Sequence, residues 1–183
     1  MSDTWLLIPG GQCRYGDNAR PVEVAPLLWT ATPVTSRHLG ESPPGDSLPL
    51  TVVSHEQAAA IAHSLGGRLP RSAEWEWMAA GPGRRRYPWG EAECDPSLAN
   101  LLPAGTGGPV PAGRFPAGAT PEGMLDVAGN VWEWTATAAM GNGYVIRGGS
   151  YASQPAYART TFLNAAPAGL RSSGLGFRVV RDP

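Results

Sequence analysis

Two short stretches constrain this chain more than anything else in it: Gly-Asn-Val-Trp-Glu-Trp at 129–134 and Arg-Gly-Gly-Ser-Tyr at 147–151. An extended backbone through the first would place Trp132 and Trp134 on one face and Val131 and Glu133 on the other. Each indole can bury about 150–250 Å², which makes this a core strand first. A second use is open: Asn130 and Glu133, with the backbone carbonyl of Val131, offer oxygen ligands of the kind a hard cation such as Ca²⁺ accepts. In the second stretch the two glycines after Arg147 suit a bulge or a close backbone approach rather than a strand interior.

A chain of 183 residues is long enough for a real core and is most simply one domain, 1–183. Its 24 glycines and 19 prolines, interspersed with seven tryptophans, predict a loop-rich fold with little regular structure. A net charge of −1 supplies no general attraction for nucleic acid or an anionic membrane, and the one basic run, Arg84-Arg85-Arg86, reads as a solvated loop. Cys13 and Cys94 show no metal or redox spacing, so they are expected to be free thiols in a reducing compartment. The first residues lack the basic start and apolar stretch of a secretory leader, and no run is long enough to span a bilayer. Together these predict a cytoplasmic protein.

Residues 4–8 read as a first strand and 22–29 as a second, interrupted by Pro26, forming an antiparallel start. A proline-rich loop follows to Pro49, with Thr35 or Ser36 capping a short helical turn. The clearest helix begins after Ser54, with Gln57 completing a capping box, and ends at Gly66-Gly67. A second helix capped by Ser72, with Glu74 in its first turn, places Trp75, Met78 and Ala79 on one amphipathic face. Residues 81–122 are nearly all loop, a length that is usually functional or pinned by something else. Asn100 and Leu101 there could offer a side-chain and a backbone oxygen to an ion, with no carboxylate nearby. Beyond Trp134, residues 135–142 read as a small polar loop, 144–147 as a strand and 176–180 as a closing strand. Between Ala152 and Gly174 the periodicity is lost.

Taken in order, Arg68-Leu69-Pro70 with Glu74-Trp75-Glu76, Tyr87-Pro88-Trp89-Gly90, Gly123-Met124-Leu125-Asp126 leading into 129–134, Arg147-Gly148-Gly149-Ser150-Tyr151 and Gly176-Phe177-Arg178 resemble the formylglycine-generating enzyme, or sulfatase-modifying factor, family. The resemblance implies an α+β, C-type-lectin-like fold with two helices, small antiparallel sheets and much irregular structure. It also implies that the active enzymes' copper-binding cysteine pair falls at Ser153 and Ala158. Soft Cu(I) requires thiolate there, so no copper and no oxidase activity are expected. Neither Cys13 nor Cys94 is expected to lie near that motif, so a relocated copper site is not expected. The iron-dependent sulfoxide synthases of the same superfamily need a histidine cluster, whereas His38, His55 and His63 have no ligand spacing and read as surface groups. One family Ca²⁺ site maps onto Asn130, Val131 and Glu133, and half of another onto Asn100 and Leu101.

The tail is also similar to that of variable proteins of diversity-generating retroelements. These share the lectin-like fold and end with Arg-Gly-Gly-Ser-aromatic, a diversified stretch, then Gly-Phe-Arg-Val-Val. Adenine randomisation of asparagine codons hardly ever yields Lys, Glu, Met, Gln or Trp, and in 152–174 only Gln154 breaks that rule. The resemblance implies a ligand-binding segment at 152–174 with diversified positions Ala152, Ser153, Tyr157, Phe162, Asn164, Ala166, Leu170, Ser172, Ser173 and Gly174, while Arg159 and Arg171 are fixed scaffold. Tyr157 and Phe162 would anchor contact with a protein ligand, and the serines would adapt around them. The expected function is non-catalytic ligand binding. An oxidoreductase with altered chemistry in the same cleft and a structural module of a complex are the alternatives.

Overall fold

The computed structural model describes residues 5–40 and 47–183. Thr4, expected at the start of the first strand, lies outside the described residues, as do residues 41–46 of the proline-rich loop and the first residues of the chain, on which the reading of the N-terminus rests.

Strands β1 (Trp5–Ile8), β2 (Gly11–Tyr15), β3 (Arg20–Val24) and β4 (Leu27–Thr30) open the fold. The expected antiparallel start is present as β1 paired with β4, but Pro26 does more than interrupt a strand: it separates β3 from β4, which join different sheets. Strand β2, unforeseen in the sequence, pairs with β3 across the whole of its length. Thr35 caps a single turn at Ser36–Leu39.

Helix α1 (His55–Ser64) forms as its capping box dictates: Gln57 N–H donates to Ser54 Oγ at 3.2 Å, and Ser54 N–H donates to Gln57 Oε1 at 3.0 Å. It buries Ala58 and Ala62, one turn apart, and gives way to Gly66 at φ 75°. Helix α2 (Ser72–Ala80) departs from expectation. Its N-cap is Arg71; Ser72 is already helical, and its N–H donates to Thr137 Oγ1 at 2.8 Å. The helix has no solvent face to speak of, since Ser72 and every residue from Glu74 to Ala80 are buried. Its two glutamates are therefore paired, Glu74 with Arg68 at 2.8 Å and Glu76 with Arg147 at 2.8 Å.

The C-terminal half builds a four-stranded sheet in the order β7-β6-β5-β8 from β5 (Trp132–Ala139), β6 (Gly143–Arg147), β7 (Asn164–Pro167) and β8 (Leu175–Gly176). Residues 135–139, expected as loop, extend β5, and the β5–β6 register shifts between Trp134 and Ala138. The expected closing strand is divided: β8 pairs in parallel with β5, whereas β9 (Val180–Arg181) joins β4 in the first sheet. No helix among the described residues is long and apolar enough to cross a membrane.

This divided tail separates two apolar cores. Trp29, Trp75, Trp77, Met78, Met124 and Val180 belong to one; Trp134, Ile146, Phe177 and Val179 belong to the other. The expected alternation holds, with Trp134 and the partly buried Trp132 packed in the second core and Val131 and Glu133 turned away from it, but both faces are buried. Glu133, fully buried, receives Arg178 Nε at 2.8 Å and Nη2 at 2.7 Å, and Trp75 Nε1–H at 2.6 Å. Arg178 also donates to the carbonyls of Leu125 at 3.0 Å and Thr30 at 3.4 Å. One ion pair thus ties β5, β4, α2 and the loop that carries Leu125.

The close approach expected after Arg147 is also present. Gly148 has φ 93°, and a Cβ there would stand 2.8 Å from the Val127 carbonyl oxygen and 3.3 Å from the Trp75 ring. The arginine run is not a solvated loop. Arg84 donates to the Gly16 carbonyl, Arg85 pairs with Glu122 at 3.2 Å and Arg86 pairs with Glu93 at 2.5 Å.

Arg178→Ala strands a buried carboxylate and is expected to lower stability by about 3–5 kcal/mol, while Arg178→Met combined with Glu133→Gln loses far less. Urea unfolding of both variants checks this, and a loss below about 1 kcal/mol for Arg178→Ala would refute it. Nearby, burial pushes the Asp126 carboxyl up to about 6 from an ordinary 3.8, against the opposing effects of the Gly113 N–H and Arg178. Because folding raises this pKa, the group's contribution to stability is present below 3.8 and is lost as pH rises through about 6. Asp126 sits at φ 51°, a backbone that asparagine tolerates well, so Asp126→Asn should remove this part of the pH dependence. Urea midpoints measured from about pH 4 to about pH 8 should fall in the parent and stay flatter in the variant.

Candidate functional site

The two stretches that open the sequence argument lie side by side. Gly129 N–H donates to the Gly148 carbonyl at 2.8 Å, and Tyr151 N–H donates to the Asn130 carbonyl at 3.1 Å. Asn130 itself, at φ 64°, is fully buried. The chain after Tyr151 is then pinned back onto the scaffold by its main chain. Leu102 N–H donates to the Ser153 carbonyl at 2.9 Å, Val52 N–H to the Ser172 carbonyl at 3.1 Å, and Trp132 N–H to the Gly174 carbonyl at 2.8 Å. Segment 152–174 is less irregular than its sequence predicts: it holds a one-turn helix at Pro155–Ala158 and the edge strand β7.

A cavity of about 320 Å³ opens between this segment and the β5–β6 face. Six of the ten positions expected to contact a ligand line it: Ala152, Asn164, Ala166, Leu170, Ser172 and Gly174. Scaffold residues complete the wall, among them Trp132, Ile146 and Tyr151, and no arginine, aspartate or glutamate takes part. Tyr151 is anchored by a hydrogen bond between its hydroxyl and that of Ser173 at 3.1 Å. The other positions lie apart. Tyr157 and Phe162 meet edge to face with centroids 5.0 Å apart, and Phe162 reaches Trp132 at 6.3 Å, so an aromatic ridge runs from the cavity wall to the exposed Tyr157. Ser153 is buried, and its hydroxyl accepts the Ser150 N–H at 3.0 Å. Ala166, although it borders the cavity, is mostly committed to the second core. Arg159 and Arg171, expected as scaffold, are exposed.

Sequence reasoning missed the framework half of this wall. Tyr151 was legible as part of its motif, but nothing marked Trp132 and Ile146 as wall residues, because their place depends on strand pairing. It also missed a second cavity of about 460 Å³ on the far side of Phe162, where Tyr15, Asp17 and Arg20 of the β2–β3 hairpin face Leu163.

The positions expected for a thiol pair stand together. A Cβ on Gly149 would lie 3.4 Å from Ser153 Cβ and 3.7 Å from Ala158 Cβ. Ala158 packs with Ala99, Leu101 and Ala128, and, against the expectation that neither cysteine lies near this motif, Cys94 packs against that same cluster, because the long loop folds back onto it. Burial raises the Cys94 pKa, with Asp95 and Glu93 adding to the effect, which keeps it a thiol. Cys13 and Cys94 are both free.

The residues considered for Ca²⁺ already have partners. Both Glu133 oxygens are held by Arg178 and Trp75. Asn130 Oδ1 accepts from Asn100 Nδ2 at 3.1 Å and from Val110 N–H at 2.9 Å, so Asn100 and Asn130 form one buried amide pair rather than two separate half-sites. This donor set does not fit a hard cation without displacing the guanidinium. Among the described residues, no group of three or more His, Cys, Asp or Glu could hold a metal ion. His55 is not a surface group: its ring stacks on Tyr144 at 3.3 Å between centroids, and burial lowers its pKa.

A family described as the sulfatase-modifying factor enzyme 1-like domain matches residues 39–183. Hercynine oxygenase of Mycobacterium tuberculosis is 38% identical over 169 residues, covering 76% of this chain and 38% of that protein. Inactive C-alpha-formylglycine-generating enzyme 2 of Mus musculus is 34% identical over 150 residues, covering 72% of this chain and 48% of that protein. This chain therefore spans less than half the length of either. Among solved structures, Treponema denticola variable protein 1 superposes with a TM-score of 0.81 at 20% identity, covering 98% of this chain and 95% of that one. The Major Tropism Determinant U1 Variant gives 0.60 at 13% identity, covering 97% and 62%. The fold is the C-type-lectin-like one expected, with the difference that its β5–β8 pair is parallel.

With Glu133 held by Arg178, the melting temperature is expected to be the same in EDTA and in millimolar Ca²⁺. A Ca²⁺-dependent rise in a thermal melt would mean that the carboxylate leaves Arg178 for the ion.

Proposed function

The chain belongs to the family of sulfatase-modifying factor enzyme 1-like domains, and we propose that it acts there as a non-catalytic binding protein whose segment 152–174 receives a protein ligand. The observation that carries this reading is the convergence of six positions, named from the form of the tail, on one uncharged cavity of about 320 Å³. An apolar concavity with a few placed polar groups is the usual form of a binding site. Tyr157, 44% exposed, and Leu170, 41% exposed, give its rim apolar area to bury against a partner. Ser153 and Ala158 supply no thiolate for a soft metal, which favours binding over oxidation. The proposal includes diversification of these positions by a retroelement.

A second reading, an oxygen-using enzyme of altered chemistry in the same cleft, is favoured by the 38% identity to an oxygenase.

DNA flanking the gene is expected to hold a near-copy of the codons for residues 145–180, differing at adenines, beside a reverse transcriptase. Purified protein should show no oxygen consumption with a cysteine-containing sulfatase peptide. Absence of the repeat together with oxygen-dependent turnover would establish the enzyme instead.

A further inference from the structure

Charge on the binding face is unevenly placed. From Trp134 to Arg181 the chain carries five arginines and not one aspartate or glutamate, in a protein with 15 acidic residues. Arg147 and Arg178 are buried and neutralised by Glu76 and Glu133, brought from elsewhere in the chain. Arg181 lies over the Trp5 ring at 4.0 Å, on the other sheet. Arg159 and Arg171 remain. Both are exposed, and neither is in an ion pair among the described residues, a condition they share with Arg14, Arg20 and Arg114. Arg171 stands between Leu170 and Ser172, two residues of the cavity wall, and Arg159 follows the turn that carries Tyr157. The cavity thus has an uncharged lining, and the exposed Arg171 stands in the chain between two of its wall residues, on a molecule whose net charge is −1. Arg159 lies further off, since Thr160 beside it is bonded to the Arg85 and Arg86 carbonyls.

We infer that the partner is an acidic protein segment that seats one uncharged side chain, aliphatic or aromatic, in the cavity and sets a carboxylate against Arg171. This rests on the reading of the face as a protein-binding surface and adds the chemistry of what it binds. A volume of about 320 Å³ lies at the small end of ligand sites and suits a single large side chain. No cation or anion lines it, so a charged side chain would enter without a partner, which is unfavourable. At the margin, a guanidinium matches a carboxylate in a two-pronged, planar geometry and sheds its water more readily than an ammonium does. Exposed charges of one sign also steer a partner of the opposite sign and reject those of like sign. An exposed arginine without an ion-pair partner beside an uncharged cavity selects for a carboxylate by both routes.

The test is selection of a random peptide library displayed on phage against the full chain, with Ala152→Trp, Arg159→Glu and Arg171→Glu as variants. All three positions are exposed, and circular dichroism confirms folding. Enriched peptides are expected to share a Phe, Leu, Ile or Met with Asp or Glu within a few residues. Their binding should disappear in Ala152→Trp, weaken about tenfold in Arg171→Glu, change little in Arg159→Glu, and decline as salt rises. Peptides blocked by Ala152→Trp but lacking acidic residues and indifferent to Arg171→Glu would overturn this inference and leave the binding surface standing. Failure to enrich any peptide sensitive to Ala152→Trp would overturn both.

Discussion

The fold depends on a carboxylate and a guanidinium that have no access to water. Removing both ions from solvent costs several kcal/mol each, and their attraction repays this only where geometry is good and the remaining donors and acceptors are satisfied. Glu133 and Arg178 meet that condition through a two-pronged contact, the Trp75 indole and the carbonyls of Thr30 and Leu125. The requirement works as a constraint on everything around it. Trp75 must stand at one helical position, the chain at Leu125 must turn its carbonyl inward, and the tail must pass between the two cores with Phe177 and Val179 on one side and Val180 on the other.

The second buried pair, Arg147 with Glu76, meets that condition only in part, because Arg147 Nε and Nη1 are buried without a hydrogen-bond partner among the described residues. Arg147 is paired with Glu76, lies over the Trp75 ring at 5.0 Å and donates to the Thr160 carbonyl. It immediately precedes Gly148 and Gly149, so the point at which the chain leaves the sheet for segment 152–174 is locked to α2. The amide pair of Asn100 and Asn130 fixes the other border by holding residues 100–110 of the long loop against the start of β5. That loop is long but pinned, which is how a compact protein keeps extended irregular chain in one conformation.

What the sequence made legible follows from how local each cause is. The box of Ser54 and Gln57 is self-contained within four residues and forms as predicted. Ser72 has the same preference for a cap, but its N–H is taken by Thr137, a residue that only tertiary structure brings near. Residues 135–139 look like loop because threonine and alanine alternate without large apolar groups; pairing with β6 makes them strand. Glu133 illustrates the ambiguity at the site itself. An acid beside an asparagine and free carbonyls can bind a cation or accept an arginine, and the arginine lies 45 residues away. The helix face with Trp75 and the alternation at 132–134 are both visible as core in the sequence; that they are joined through Trp75 and Glu133 is not. The cavity was half legible for the same reason, since the segment's composition marks its own side chains but says nothing of the strands beneath.

The manner in which segment 152–174 is attached decides how much change it can absorb. Its contacts with the scaffold at Ser153, Ala168, Ser172 and Gly174 run through the main chain, to Leu102, to Asn142 and His55, to Val52 and to Trp132. Main-chain hydrogen bonds do not depend on which side chain stands at those positions, provided the backbone conformation is allowed, and no residue from 150 to 174 occupies the left-handed region. Replacing Leu170 or Ala152 therefore alters the surface without removing an anchor, whereas replacing Glu133, Arg147 or Arg178 removes one that nothing else can supply. Rigidity is concentrated in buried charge and tryptophan, and freedom in exposed side chains on a fixed backbone. A scaffold organised in this way can present different contact surfaces while its fold stays the same.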